Sequence, residues 1–381
     1  MTAHRPPLWA QGLVAVVSLV LGTVYLELLH VVFEVLWGDV PQALDTNNLM
    51  LAGYVLVMLT GGAFLVAVLR RREGVFGHSP LDGLAVTPDR ARVALVSLAA
   101  VVITLLSGAV LGPEAGLLAL GTAVGAWWSS RSGADDAGHE ALVKAAALGA
   151  VLSLVASLGA QGTIQLPPAE QGIGVDLVGA AVTAAAAALV IAVLRLGAYR
   201  LRGWADTPRV HVGRITAVGA AIAVVAIIAL LVTDVDARFV LGSGEGFISE
   251  ITTLTSLSTI LIVLVAKGLA YLLSLGGGLR GGPIFPAMFL GGVVAAALIA
   301  LGLPGDASVL VAGAVLAGVS VGLELGWKAL TVTGIVVGLL LGGWILIPAS
   351  LIGLGVGRFV GRMLSRLPGV GPVPDPVPNP T

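Results

Sequence analysis

The chain has 381 residues, 57% of them hydrophobic and 11% charged, with a formal net charge of −1 and a mean hydropathy of +1.03. That apolar content excludes a soluble globular domain and points to a polytopic membrane protein. The lack of Cys excludes a disulfide framework and thiol chemistry; the near-zero charge says nothing about partners, and no nucleic acid is expected among them.

The first apolar run, Leu8 to Trp37, is too long for the core of a signal peptide and predicts a first membrane helix without a cleaved leader. An acidic loop with Asp39 and Asp45 follows, then a span over 49–69 that ends in Arg70, Arg71 and Arg72. Basic loops stay cytoplasmic, which puts the N-terminus inside. Residues 73–90 are polar and broken by Gly77, Pro80, Gly83 and Pro88, with a short helix expected from Pro80. Spans are predicted over 91–108, 114–130 and 141–158, with a polar loop at 131–140 and an irregular stretch at 159–174. The Ala-rich run 175–199 ends with Arg195, Arg200 and Arg202, and 203–214 reads as a cytoplasmic linker.

Further spans are predicted over 212–233, 257–275, 284–302, 308–325, 328–347 and 349–366, the last two separated by Pro348. Arg358, Arg362 and Arg366 put the C-terminus inside as well. The expected organisation is a first repeat over 1–203, a second over 204–366 and an extended, disordered Pro-rich tail over 367–381. That leaves no room for a soluble regulatory domain at either end.

Two stretches interrupt this pattern in the same way. Ser107 to Gly121 is a Gly-rich run with one carboxylate, Glu114, directly after Pro113. Pro loses no hydrogen bond in the first turn of a helix, so Gly112-Pro113 reads as a break followed by a helix start. Gly278 to Gly291 repeats the pattern at an offset of 170: Gly108 falls on Gly278, Gly112 on Gly282, Pro113 on Pro283 and Gly121 on Gly291. The carboxylate is in the first copy alone, with Ile284 in its place in the second. Two broken helices at matching places in two halves point to a transport site at the repeat interface. Free N–H groups at such helix starts favour an anion.

These residues resemble the CLC family of voltage-gated chloride channels and chloride/proton antiporters over roughly 10–366. Leu111 to Gly116 looks like the G-[R/K]-E-G-P motif, which sets Glu114 on the gating glutamate. Gly281 to Pro286 is similar to the G-x-F-x-P motif, and Gly77 to Gly83 is a weaker match to G-S-G-I-P. The resemblance implies an all-α membrane protein with an inverted-topology repeat of broken, tilted helices. It also implies a homodimer with one anion pathway per subunit, residence in the cell membrane, and no cofactor. The chain departs from the family at several places. Pro113 replaces the basic residue before the glutamate, Gly116 replaces the motif proline, and His78-Ser79 replaces Gly-Ile before Pro80. The inner tyrosine has no counterpart, since the last Tyr is Tyr271, and the inner proton-transfer glutamate has no clear one.

An anion moving through a membrane needs donors that replace its water without holding it too tightly to leave. In this reading Glu114 is a tethered competing anion. The candidate anion-binding residues are Ser79 and Pro80, then Gly112, Ala115 and Gly116, then Ile284 and Phe285. Glu114 as an N-capping carboxylate in a packed core is the alternative; an intramembrane carboxylate is functional by default. Ser79 as anion ligand or as cap stays open. So does Arg280 as tuner of the pathway or as a group reaching the aqueous face. Lys267 is expected on backbone carbonyls at helix ends, and His78 at the interface. Glu27, His30 and Glu34 share a helical face, read as a wet outer helix end or as a proton path. Glu170 and Asp176 are candidates for a proton relay or loop positions, and Glu324 and Lys328, at i and i+4, read as an ion pair or a helix-end feature. As the competing class, Gly242-Ser243-Gly244 suggests an intramembrane serine protease. The last His, His211, lies in the linker, so Ser243 has no base in the second half. Whether anion movement is coupled to protons or runs as through a channel stays open.

Overall fold

A chain this apolar has to bond its own backbone polar groups, and helices do so segment by segment. The computed structural model describes residues 6–44, 48–73, 79–83, 86, 89–161, 164–169, 173–206, 210–233, 235–323 and 326–368. Among these residues it is all helix and connection, with one isolated β-bridge. The first six helices are α1 (Leu8–Glu34), α2 (Val40–Leu44), α3 (Asn48–Glu73), α4 (Ala91–Leu106), α5 (Glu114–Ser132) and α6 (Asp136–Gln161). Then come α7 (Ile173–Ala205), α8 (Val212–Val232), α9 (Ala237–Val240) and α10 (Leu257–Gly276). Four more close the chain: α11 (Ile284–Ala300), α12 (Ala307–Val321), α13 (Trp327–Gly342) and α14 (Ile347–Leu364).

Seven segments among the described residues are long and apolar enough to cross a membrane: Leu8–Leu44, Leu49–Arg72, Asp136–Ala160, Asp176–Ala205, Val212–Val232, Leu257–Gly276 and Trp344–Leu364. By contrast α4, α11, α12 and α13 have 16, 17, 15 and 16 residues. At about 1.5 Å per residue they rise ~24 Å, short of a hydrocarbon layer of ~30 Å. Helices that short can end at mid-depth, and α4 and α11 meet the site there.

The first helix does not stop at Trp37. A π turn over Val35–Asp39 carries it on into α2. The turn aims Trp37 inward, where it is fully buried and its Nε1 donates to Leu106 O at 3.0 Å. The indole covers Gly108, whose φ of +87° and lack of a side chain make room for it. The short helix expected at Pro80 is a single 3-10 turn, Pro80–Asp82, closed by Gly83. The irregular stretch before α7 is tied down: Leu166 N donates to Leu341 O at 2.6 Å, and Ser308 Oγ to Pro167 O at 2.7 Å. The tail beyond Pro368 lies outside the described residues.

Close packing uses small residues. α1 and α6 run side by side with Gly149 against the Ala15 carbonyl, where a methyl group would overlap it. α7 packs along α12, with Thr183 Oγ1 donating to Leu310 O at 2.8 Å. α12 is buried from Ser308 to Val321, which is why it is apolar all round.

Basic helix ends gather on one face. Arg202 grips Asp82 through two bonds of 2.7 and 2.9 Å. Asp206, just past α7, receives Arg70 of α3 at 2.7 Å and Arg280 at 3.1 Å, with side chains 9%, 2% and 4% exposed. Arg280 is thus buried against Asp206 and does not reach the aqueous face. Burial opposes ionisation of Asp206, but the charges of Arg280 and Arg70 outweigh it and hold the carboxyl well below its usual range. A carboxyl lowered on folding stabilises the fold above its unfolded value of about 4. That contribution is lost only as pH falls through the lower folded value, so it is intact at neutral pH. Asp206→Asn removes the carboxylate that two buried guanidinium groups share and is expected to cost about 3–5 kcal/mol. The check is the thermal inactivation midpoint of the purified variant; a midpoint equal to that of the parent would show that the cluster does not hold the structure.

Candidate functional site

The loops that precede α5 and α11 meet at the centre of the molecule as near copies of each other. Gly112 N donates to Gly282 O, and Gly282 N to Gly112 O, both at 2.7 Å. Val110 N donates to Ser274 Oγ at 3.1 Å, and Arg280 N donates to Thr104 Oγ1 at 3.3 Å. Gly108 and Gly278 take matching left-handed φ values of +87° and +85°. Each bond and each turn has its partner 170 residues along the chain, so the sequence repeat is also a repeat of hydrogen bonding.

Glu114 stands at the first residue of α5, with Pro113 as N-cap, and is 2% exposed. Its Oε1 accepts from Ile284 N, the first N–H of α11, at 2.6 Å. Its Oε2 is buried without a partner among the described residues. The carboxylate sits over two glycines: a Cβ at Gly282 would overlap Glu114 Cδ, and one at Gly112 would overlap Oε2. Residues without side chains are what let a carboxylate from one half reach the helix start of the other.

Cavities approach this junction from both sides. The inner one, on the face of the basic helix ends, is about 830 Å³ and is lined by Leu81, Arg195, Tyr199, Ile284, Phe285 and Arg358 among others. The outer one is about 70 Å³, with Leu111, Pro113, His30, Phe33, Ser243 and Glu245 in its wall. Leu154 and Leu158 of α6 line both. The inner side is therefore wide, the outer side holds a few waters at most, and Glu114 occupies the step between them.

The sequence-nominated residues divide between these features. Ile284 and Phe285 line the inner cavity, and the Ile284 N–H is occupied by Glu114. The Gly112 N–H is taken by Gly282. Ala115 is half-buried in the first turn of α5, and at Gly116 the phenol oxygen of Tyr25 fills the space of a missing side chain. Ser79 is 4% exposed, its hydroxyl buried without a partner among the described residues and making no cap bond; Pro80 beside it is buried. Lys267 does sit on backbone carbonyls, Leu241 O at 3.2 Å and Gly242 O at 3.3 Å, over the Phe289 ring. Glu34 pairs with Arg238, and Asp176 Oδ1 accepts from Asp306 N at the start of α12. His78, Glu170 and Glu324 lie outside the described residues.

Three groups at the site escaped the sequence reading. Tyr271 of α10 is fully buried and donates to Pro283 O at 2.7 Å, bracing the break before α11. Glu245 Oε2 is buried without a partner among the described residues at the outer cavity. Arg195, one of the three arginines that end the Ala-rich run, lies in the inner wall. The signal for Arg195 was present, as a guanidinium inside a long apolar run.

No family model and no curated protein matches this chain. Solved structures do. A slow cyanobacterial Cl⁻/H⁺ antiporter aligns over 96% of this chain and 97% of its own, at 15% identity and a TM-score of 0.73. A CLC-type fluoride/proton antiporter aligns over 96% and 98%, at 15% identity and a TM-score of 0.62. A eukaryotic CLC transporter aligns over 94% of this chain and 72% of its own, at 14% identity and a TM-score of 0.60. This chain has the fold of the CLC transporters, and these neighbours are transporters, not enzymes.

Proposed function

We propose that the protein carries chloride, or a similar small monovalent anion, across the cell membrane under the control of Glu114. One observation carries the reading: a buried carboxylate occupies the α11 N–H between two cavities. A helix N-terminus binds an anion through partial charges, which suits an ion that must leave again. The ionised carboxylate fills that place itself. Protonated, it gives up the N–H, and a mobile anion takes it; the same event moves a proton. The neighbouring structures, two of them anion/proton antiporters by description, support proton coupling.

A second reading, anion flow without protons, is favoured by the inner cavity. The carboxylate among its lining residues is Asp82, and Arg202 holds it in two bonds. Among the described residues, no free carboxylate in that wall is on offer to relay a proton.

The proposal includes both termini on the cytoplasmic side and a homodimer. Each subunit has its own pair of cavities, so one pathway per subunit needs no residue from a second copy. The second repeat is expected from residue 204 by sequence; the order of elements supports pairing α1, α3, α4, α5 and α6 with α7, α8, α10, α11 and α12, and the proposal therefore begins the second repeat at α7 instead.

The test is purified protein in liposomes loaded with chloride, with chloride efflux and external pH recorded together. Efflux with opposite proton movement is the expected result. Efflux without proton movement gives the second reading. No flux of chloride, bromide, nitrate or fluoride would remove transport as the function.

A further inference from the structure

We infer that Arg195 forms a fixed-charge binding site for a small inorganic anion in the inner cavity. The inference rests on the anion-carrying reading above and adds a ligand site to it.

Arg195 is 4% exposed, yet no carboxylate pairs with it among the described residues. Its Nη2 donates to Leu81 O at 3.3 Å and lies 3.5 Å from the Tyr199 hydroxyl. Its Nη1 is buried with no partner among the described residues. The other buried arginines are treated differently: Arg70 and Arg280 share Asp206, and Arg202 takes Asp82. Among the described residues, the carboxylate next to its Leu81 partner, Asp82, is therefore already committed to Arg202. A desolvated guanidinium without a counter-charge is costly, and its open Nη1 donor points to a partner that is mobile.

The surroundings fit an anion. Arg195 lines the inner cavity together with Ile284 and Phe285, and also lines a smaller void beside Tyr271, Pro283 and Ile284. Gly322 faces the guanidinium, and a Cβ there would stand 2.7 Å from Nη1. Arg358 and Arg362 on the same wall add charge of the same sign. Arg195 and Ile284 line the same cavity, so an anion inside it has access to the guanidinium and to the start of α11. Nη2 is shared with a carbonyl and a hydroxyl, so part of the cation's hydrogen bonding is already spent, which leaves a holding site that can still release its ion. Fields focused in such a cavity raise the local anion concentration and speed entry.

The experiment is a calorimetric titration of the purified full-length protein with chloride, run beside flux on the same preparations. Arg195→Gln is expected to weaken chloride binding at least about tenfold, as loss of a charge-assisted donor would. Arg195→Lys keeps most of it, because charge alone suffices for a spherical ion. Gly322→Ala retains the arginine but pushes Nη1 aside, and is expected to weaken binding as well. It serves as the decisive variant if Arg195→Gln fails to fold. Chloride binding unchanged in whichever variant folds, or no chloride binding by the parent protein, would overturn the site and leave Nη1 to water. Arg195-dependent binding in a protein that moves no anion would keep the site and remove the transport reading instead.

Discussion

Glu114→Gln is expected to abolish proton movement while anion efflux continues and loses its dependence on pH. The amide has the size of the carboxyl, and its oxygen can still accept from the Ile284 N–H that Oε1 holds at 2.6 Å. It carries no charge, so it competes weakly for a place whose attraction is for anions. The position of Oε2 is buried and without a partner among the described residues; an amide nitrogen there has nothing to donate to, which further loosens the side chain. In the parent protein, lowering the pH protonates the carboxyl and opens the N–H to a mobile anion, so efflux rises as pH falls. In the variant that step is absent. Paired chloride and pH electrodes on the same liposomes measure both. A variant that still moves protons, or whose efflux still rises as pH falls, would remove Glu114 from the mechanism.

Gly282→Ala should open the same step by another route. The added methyl group would overlap Cγ and Cδ of Glu114, so the carboxylate has to leave the Ile284 N–H. The expected phenotype is a pH-insensitive anion leak like that of Glu114→Gln, with a stability loss of about 1–3 kcal/mol from overpacking. Gly282 has no left-handed backbone that would penalise Ala by itself. The penalty should therefore depend on Glu114 being there. In a double-mutant cycle with Glu114→Ala, most of the loss should vanish, giving a coupling of about 1–3 kcal/mol between the two positions. Thermal stability of the four proteins decides it. Equal losses in both backgrounds would mean that the methyl group strikes something other than the carboxylate.

The centre of this molecule was legible because its signals are local and punctuated. Gly-Pro followed by a lone carboxylate in an apolar run announces a helix start, and the copy 170 residues on announces its twin. The partners across the repeat were not legible. Thr104 holding the Arg280 amide while Ser274 holds the Val110 amide is an exchange between helices far apart in the chain, and hydroxyls in apolar helices more often bond within their own turn. For the same reason Asp206 read as part of a linker, although it balances Arg70 and Arg280. Arg195 read as a helix end because three arginines close that run, and periodicity does not say which of them turns inward. The helix expected from Pro80 is where propensity overreached: Pro80 can start a helix, but Gly83 at φ +80° ends it after one turn, so little dipole stands behind the Ser79 hydroxyl.

The pair of bonds between Gly112 and Gly282 limits how such a molecule can work. Many carriers expose a central site to one side and then the other by tilting one half against the other. Here the halves are stitched together at the site itself, by a bond in each direction at 2.7 Å. A tilt large enough to swap the open side would have to tear both, leaving four backbone groups bare in a dry interior. The frame is a clamped joint, and what moves in it is small: one side chain stepping off one N–H. Turnover should then respond little to bilayer thickness or lateral pressure, which act on whole helices, and strongly to whatever changes the freedom of a single carboxylate.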